Sequence, residues 1–217
     1  MPILIATLRW FHIVSGFTAF FIAPVALISA KGGPTHRRWG KVYFYCMAAV
    51  AVTALLLALY RPNYFLAFTS VFTFYMAFSG YRVLILRRRT QTRGPRPLDW
   101  FAALMTLACS LALIALGVFR FTPIAALAPV AIAFGSFGSL ISATHIFFFL
   151  NPPRDPKMWL FGHFSGMLGS YIAAVTAFSV LNFHFLPVAA RWLWPSAVGI
   201  PLIFVWRAYY ASKPLQA

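Results

Sequence analysis

The chain has 217 residues, 62% of them hydrophobic, and sets eighteen Lys and Arg against two acids, a formal net charge of +16. Water-soluble domains carry about 25% charged residues, and a small globule buries only about 70% of its surface; a charged fraction of 9% therefore excludes a domain folded in water. The cations lie in short segments between apolar runs, the pattern of a membrane's cytoplasmic face and not of a nucleic-acid surface.

A helix crosses the hydrocarbon core with about 20 apolar residues. In chain order the candidates are Ile3–Ser29, Val42–Tyr60, Tyr64–Leu86, Trp100–Phe119, Ile124–Leu150, Met158–Phe183 and Trp192–Tyr210. Breakers separate them: Lys31-Gly-Gly-Pro34, Arg61-Pro-Asn63, Gly94-Pro95, Thr122-Pro123, Asn151-Pro-Pro153 and Pro187. The first span is too long and lacks the charged head of a cleaved signal peptide. The expectation is an all-α polytopic helix bundle of seven transmembrane helices, one integral domain over 1–217, with short loops joining antiparallel neighbours. Cys46 and Cys109 both fall in apolar runs, so no disulfide framework is expected.

Cation placement gives the orientation. Fourteen of the eighteen Lys and Arg lie in the first, third and fifth loops or near the C-terminus, among them the Arg87-Arg-Arg89 run. Arg9, Arg61, Arg120 and Arg191 lie on the other side. This split predicts an outside N-terminus and a cytoplasmic C-terminus, in a bacterial inner membrane, with anionic lipids meeting the basic loops.

Polar groups inside lipid are costly and mark functional candidates. His145 lies five residues before the end of the fifth span and His163 five after the start of the sixth, each about 8 Å below the boundary. Arg82 and Arg207 fall at similar depth, and His36 approaches the same level from the first loop. Back from His145 at helical spacing run Ser142, Ser139, Gly138 and Gly135; forward from His163 run Gly166, Ser170, Ala173, Ala174 and Ala177. Such stripes suit close packing of two membrane helices. They equally suit a slot for a flat ligand with histidine at one end. Neutral imidazole is an axial ligand for haem, and two of them suit electron transfer. The spans hold no acid away from their ends, so Arg82 and Arg207 are expected to lack counter-ions and to meet an anionic group such as a haem propionate. Snorkelling to the interface is the plainer reading of both.

An iron between two imidazoles needs backbones further apart than the usual 8–10 Å helix spacing. If the fifth and sixth spans pack directly, His145 and His163 do not share an iron. His36, His145 and His163 then read as zinc or copper ligands, with His12 as a further candidate near the outer boundary. His12 also reads as a hydrogen-bonded interfacial residue beside Arg9 and Trp10. His184 falls beyond the hydrocarbon. The seventh span offers no lysine for a retinal Schiff base.

Two stretches resemble a family of bacterial multi-pass membrane proteins of unknown function. One is His12 followed by His36-Arg37-Arg38-Trp39-Gly40-Lys41-Val42-Tyr43, similar to that family's His-Arg-x-x-Gly-x-x-Tyr segment; the other is Gly162-His163 through Tyr171 to Thr176. The resemblance implies a multi-pass fold and directs attention to His12, His36 and His163. It implies no reaction. From sequence, the leading function is a redox protein holding a b-type haem or a quinone in the cytoplasmic half. The rivals are a small-anion transporter and an accessory subunit of a membrane complex or homo-oligomer.

Overall fold

The computed structural model describes residues 2–87 and 94–213. It contains seven long helices: α1 (Pro2–Ile28), α2 (Pro34–Tyr60), α3 (Tyr64–Arg87), α4 (Pro97–Val118), α5 (Ala128–Leu150, after a 3₁₀ turn at Ala125–Leu127), α6 (Met158–Asn182) and α7 (Val188–Ala211). All seven are long and apolar enough to cross a membrane, and no strand occurs among the described residues. The chain is a multi-pass membrane helix bundle. Arg88, Arg89 and Arg93, counted in the charge asymmetry, lie outside the described residues.

Several helices start earlier than apolarity suggests. α2 starts at Pro34 and not at Val42, so the His36–Tyr43 segment is helical and not a loop. The cause is local: Gly32 turns the chain at φ 76°, and Pro34 supplies a pre-set helical φ where its missing N–H costs nothing. α4 likewise starts at Pro97, which places Asp99 in its first turn. Pro24 in α1 and Pro195 and Pro201 in α7 lie inside continuous helices.

Two hairpins flank a central pair. α1 packs on α2 and α4 on α5, while α3 and α6 pack on each other between them and α7 lies along α6. The small-residue stripes are helix interfaces, but not with each other. Gly138 faces Ser110 of α4 and Phe72 of α3, and Gly135 faces Ser110 and Ile114 of α4. On α6, Gly166 meets Gly80 of α3: a Cβ on Gly166 would stand 2.6 Å from the Gly80 Cα, and one on Gly80 would stand 2.8 Å from the Met167 nitrogen. Small residues thus let two backbones approach where apolar contact with lipid gives no net drive to associate. α5 and α6, consecutive in the chain, are not packed together.

Apolar clusters fill the spaces left. Phe65, Phe72, Leu113, Val130 and Phe134 join α3, α4 and α5, with Trp192 of α7 against them. Ala19, Ala23, Tyr43, Met47 and Ala77 join α1, α2 and α3.

Backbone faces backbone at the α3–α6 crossing, so no side chain can move aside to make room. Gly166→Ala is expected to destabilise the bundle by about 1–3 kcal/mol, the usual cost of overpacking. Gly16→Ala, whose Cβ would meet Val50 at an ordinary 3.8 Å, is expected to be near neutral. Thermal unfolding of the two variants in detergent compares them.

Candidate functional site

The C-terminal ends of α1, α3, α5 and α7 and the starts of α2, α4 and α6 lie at one end of the bundle, which carries most of the cations among the described residues. Three polar groups are built there. Each begins from the rule that a polar atom in lipid finds a partner inside the protein or is costly to bury.

The first is a pair of histidines. His36, in the first turn of α2, donates from Nδ1 to the Ala26 carbonyl of α1 at 2.9 Å. His163 of α6 donates from Nδ1 to the Gly80 carbonyl of α3 at 2.8 Å. A carbonyl only accepts, so both rings carry their proton on Nδ1, and in each neutral ring Nε2 holds the lone pair. The ring centroids stand 6.1 Å apart with planes at 73°. Both rings line the same two cavities. One, of about 420 Å³, reaches Arg37, Lys41, Tyr81 and Ile85. The other, of about 60 Å³, reaches Ala26, Lys31, Tyr43 and Trp206. Gly40 and Met167 line both. Below them the Tyr43 hydroxyl and Ser170 Oγ share a buried hydrogen bond of 2.8 Å, so α2 and α6 meet through side chains and not through close backbone packing. Lys31 donates to the Leu27 carbonyl and stands 5.5 Å from the Trp206 ring centroid. Loss of hydration there pushes its ammonium below the ordinary lysine pKa.

The second group lies across α3 from the first. A cleft of about 390 Å³ separates α5 from α6 and α7, with α3 as its floor. His145 and Arg207 line its basic end. His145 Nδ1 is hydrogen-bonded to the Tyr75 hydroxyl at 2.8 Å. The Arg207 guanidinium lies 5.2 Å from the Phe161 ring centroid, and no carboxylate pairs with it among the described residues.

The third is an ion pair. Arg82 Nε donates to Asp99 Oδ1 at 2.6 Å and Nη2 to Oδ2 at 3.1 Å, with the Asp99 side chain 1% exposed. Oδ2 also accepts from the Arg96 backbone N–H at 2.8 Å. Arg82 therefore has the counter-ion that its position in the third span concealed. The early start of α4 carries Asp99 into the bundle beside it.

The histidines expected to share a slot are divided by the fold: His163 stands beside His36, and His145 lies in the cleft. The two small-residue stripes do not make one slot either. Ser142 donates to the Gly138 carbonyl of its own helix at 2.6 Å, Gly138 packs on α4, and Ser170 faces Tyr43. Gly166 both packs on Gly80 and borders the cleft. His12, away from the basic end, hydrogen-bonds from Nδ1 to Thr53 Oγ1 of α2 at 2.9 Å. His184 meets Arg191 in the α6–α7 connection at 3.2 Å. No three His, Cys, Asp or Glu side chains gather as a ligand set among the described residues.

Sequence reasoning missed Tyr43, Tyr75, Met167 and the Asp99 partner of Arg82. Tyrosines in apolar spans read as interfacial anchors; their hydroxyls become informative only when a neighbouring helix supplies Ser170 or His145. For Asp99 a signal existed, an acid in the first turn after a helix-starting proline at the depth of Arg82. Comparison with known protein families, curated proteins and solved structures finds no match.

The ion pair is nearly dry, and removing one partner strands a charge, at a cost of about 3–5 kcal/mol for buried pairs. Asp99→Leu or Arg82→Leu alone is expected to lower folded yield and melting temperature sharply. The double variant Arg82→Leu/Asp99→Leu is expected to recover most of the loss. Size-exclusion yield and thermal melts in one detergent measure the cycle.

Proposed function

We propose that this protein is an electron-transfer protein of a bacterial inner membrane, holding a b-type haem between His36 and His163 at its basic, cytoplasm-facing end. The observation that carries the reading is the shared state of the two rings: each spends its Nδ1 proton on a backbone carbonyl, leaving Nε2 as the lone pair beside common cavities. Metal-ligating histidines are oriented in this way. The two ring centroids lie 6.1 Å apart, so one group could be held by both side chains.

The donor set favours a metal that brings its own equatorial ligands. Structural zinc takes four protein donors, whereas haem needs only two, and two are present. A haem there would take His36 and His163 as its protein ligands, with the larger cavity, of about 420 Å³, opening beside both residues. Arg37 and Lys41 border the larger cavity and Lys31 the smaller, suitable partners for carboxylates. Among the described residues neither lining holds an acid. Bound there, the group would supply one-electron exchange, because two imidazoles leave no open iron position. The chain's own part is to fix both tautomers through Ala26 and Gly80 and to balance the charge.

Met167 favours a second reading. The residue borders both cavities beside the histidines, and two imidazoles with a soft sulfur would suit cuprous copper.

An absorption spectrum of the detergent-purified protein, before and after dithionite, is expected to show a Soret band and a sharpened α-band. His36→Ala and His163→Ala are each expected to lower haem content at least tenfold, and His12→Ala to leave it unchanged. A flat visible spectrum, or full haem content in both variants, rejects the haem reading. Copper by elemental analysis, lost in the same two variants, would replace it.

A further inference from the structure

We infer that the cleft between α5, α6 and α7 is a binding site for an isoprenoid quinone, its head at His145 and its chain running along the apolar walls. The inference rests on the membrane fold and is independent of a porphyrin at His36 and His163.

The shape comes first. Along α5 the lining runs from His145 to Phe134, eleven residues or roughly 16 Å of helix. Beyond the basic end it is mostly apolar, with Ile141, Ile200 and Ile203 among the lining residues and Thr73, Thr176 and Ser196 as its hydroxyls. A long apolar trough with polar groups at one end fits a ligand with a small polar head and a hydrocarbon chain. Leu140 and Phe204 on its border are 65% and 62% exposed. On a membrane helix such exposure faces lipid, so the trough opens sideways to the bilayer, where isoprenoid chains dissolve.

The chemistry of the head follows from the donors. When the Tyr75 hydroxyl donates to His145 Nδ1, His145 carries its proton on Nε2, which makes no hydrogen bond among the described residues. Ser165 also borders the cleft, and its Oγ is buried without any partner. Buried hydroxyls are seldom left so. Both groups are neutral donors, and a 1,4-quinone offers two neutral carbonyl acceptors on a flat ring. Phe148 and Phe161 line the same end and provide faces for that ring.

Depth decides between a quinone and a phospholipid. His145 lies five residues inside α5, about 8 Å below its basic end. A phosphate drawn to that level would lose much of its hydration, whereas a quinone head carries no charge to desolvate. Arg207 supplies a positive field at the mouth, and a neutral acceptor benefits from it without needing an ion pair.

The test uses the full-length protein in phosphatidylcholine nanodiscs and an azido derivative of decylubiquinone. Photolabelling is expected on the segments around 140–148 and 158–166, with excess decylubiquinone abolishing it. His145→Ala is expected to cut labelling at least fivefold. Ile203→Trp, which leaves the Tyr75–His145 pair in place and enlarges a half-buried side chain of the lining, is expected to do the same, so a folding defect in one variant does not decide the result. Labelling spread evenly over lipid-facing helices, or displaced by oleate or phosphatidylglycerol but not by decylubiquinone, would overturn the proposal. The read-out needs no chromophore: absence of displaceable labelling in the unaltered protein counts against this cleft alone, and an absent Soret band against the His36–His163 site alone.

Discussion

The contact between Gly80 and Gly166 organises the molecule around it. With no side chain on either residue, the α3 and α6 backbones come within reach of each other, and the Gly80 carbonyl meets the ring of His163. The same contact seats α6 on α3 and not on α5, so two helices joined by a short loop do not pack together. Two spaces follow. On one side of the α3–α6 pair, His36 is brought beside His163; on the other, the cleft opens with His145 at its basic end. A larger residue at either glycine would move both.

Lipid imposes the second constraint. Because it offers no hydrogen bonds, the polar side chains at the basic end depend on groups of other helices. His36 takes Ala26, His163 takes Gly80, His145 takes Tyr75 and Arg82 takes Asp99. These bonds also set chemistry, since a ring nitrogen held on a carbonyl fixes the tautomer and hence the character of the other nitrogen. Ser110, Ser139 and Ser165 depart from the pattern, with buried hydroxyls that have no partner. Ser110 lies under Gly138 at the α4–α5 crossing, where its small size serves packing. Ser165 instead borders a cavity.

The histidines show how far sequence reasoning reaches into a membrane site. Counting residues from span ends placed His145 and His163 at one depth, and depth is a one-dimensional quantity that a helix of fixed rise preserves. Which histidine faces which is a matter of rotation and neighbour choice. Those were decided by glycine contacts to α3 and α4, helices distant in sequence from α6. The small-residue stripes were legible as stripes, but their partners were not: Gly138 found α4 and Gly166 found α3. The missing counter-ion of Arg82 had the same origin. Asp99 was visible at the edge of the fourth span, and only the early start of α4 at Pro97 turned it inward.

Composition and apolar run length by themselves determined the seven-helix membrane architecture, because an apolar run of about 20 residues satisfies its own backbone in lipid by forming a helix. The depth of His145, His163, Arg82 and Arg207 along their own helices was also legible in the sequence. Tertiary structure alone decided their grouping: His36 with His163, His145 with Tyr75, Arg82 with Asp99. Periodicity places a residue on its own helix, whereas pairing between helices depends on where two backbones can approach, and that is settled only when all seven pack at once.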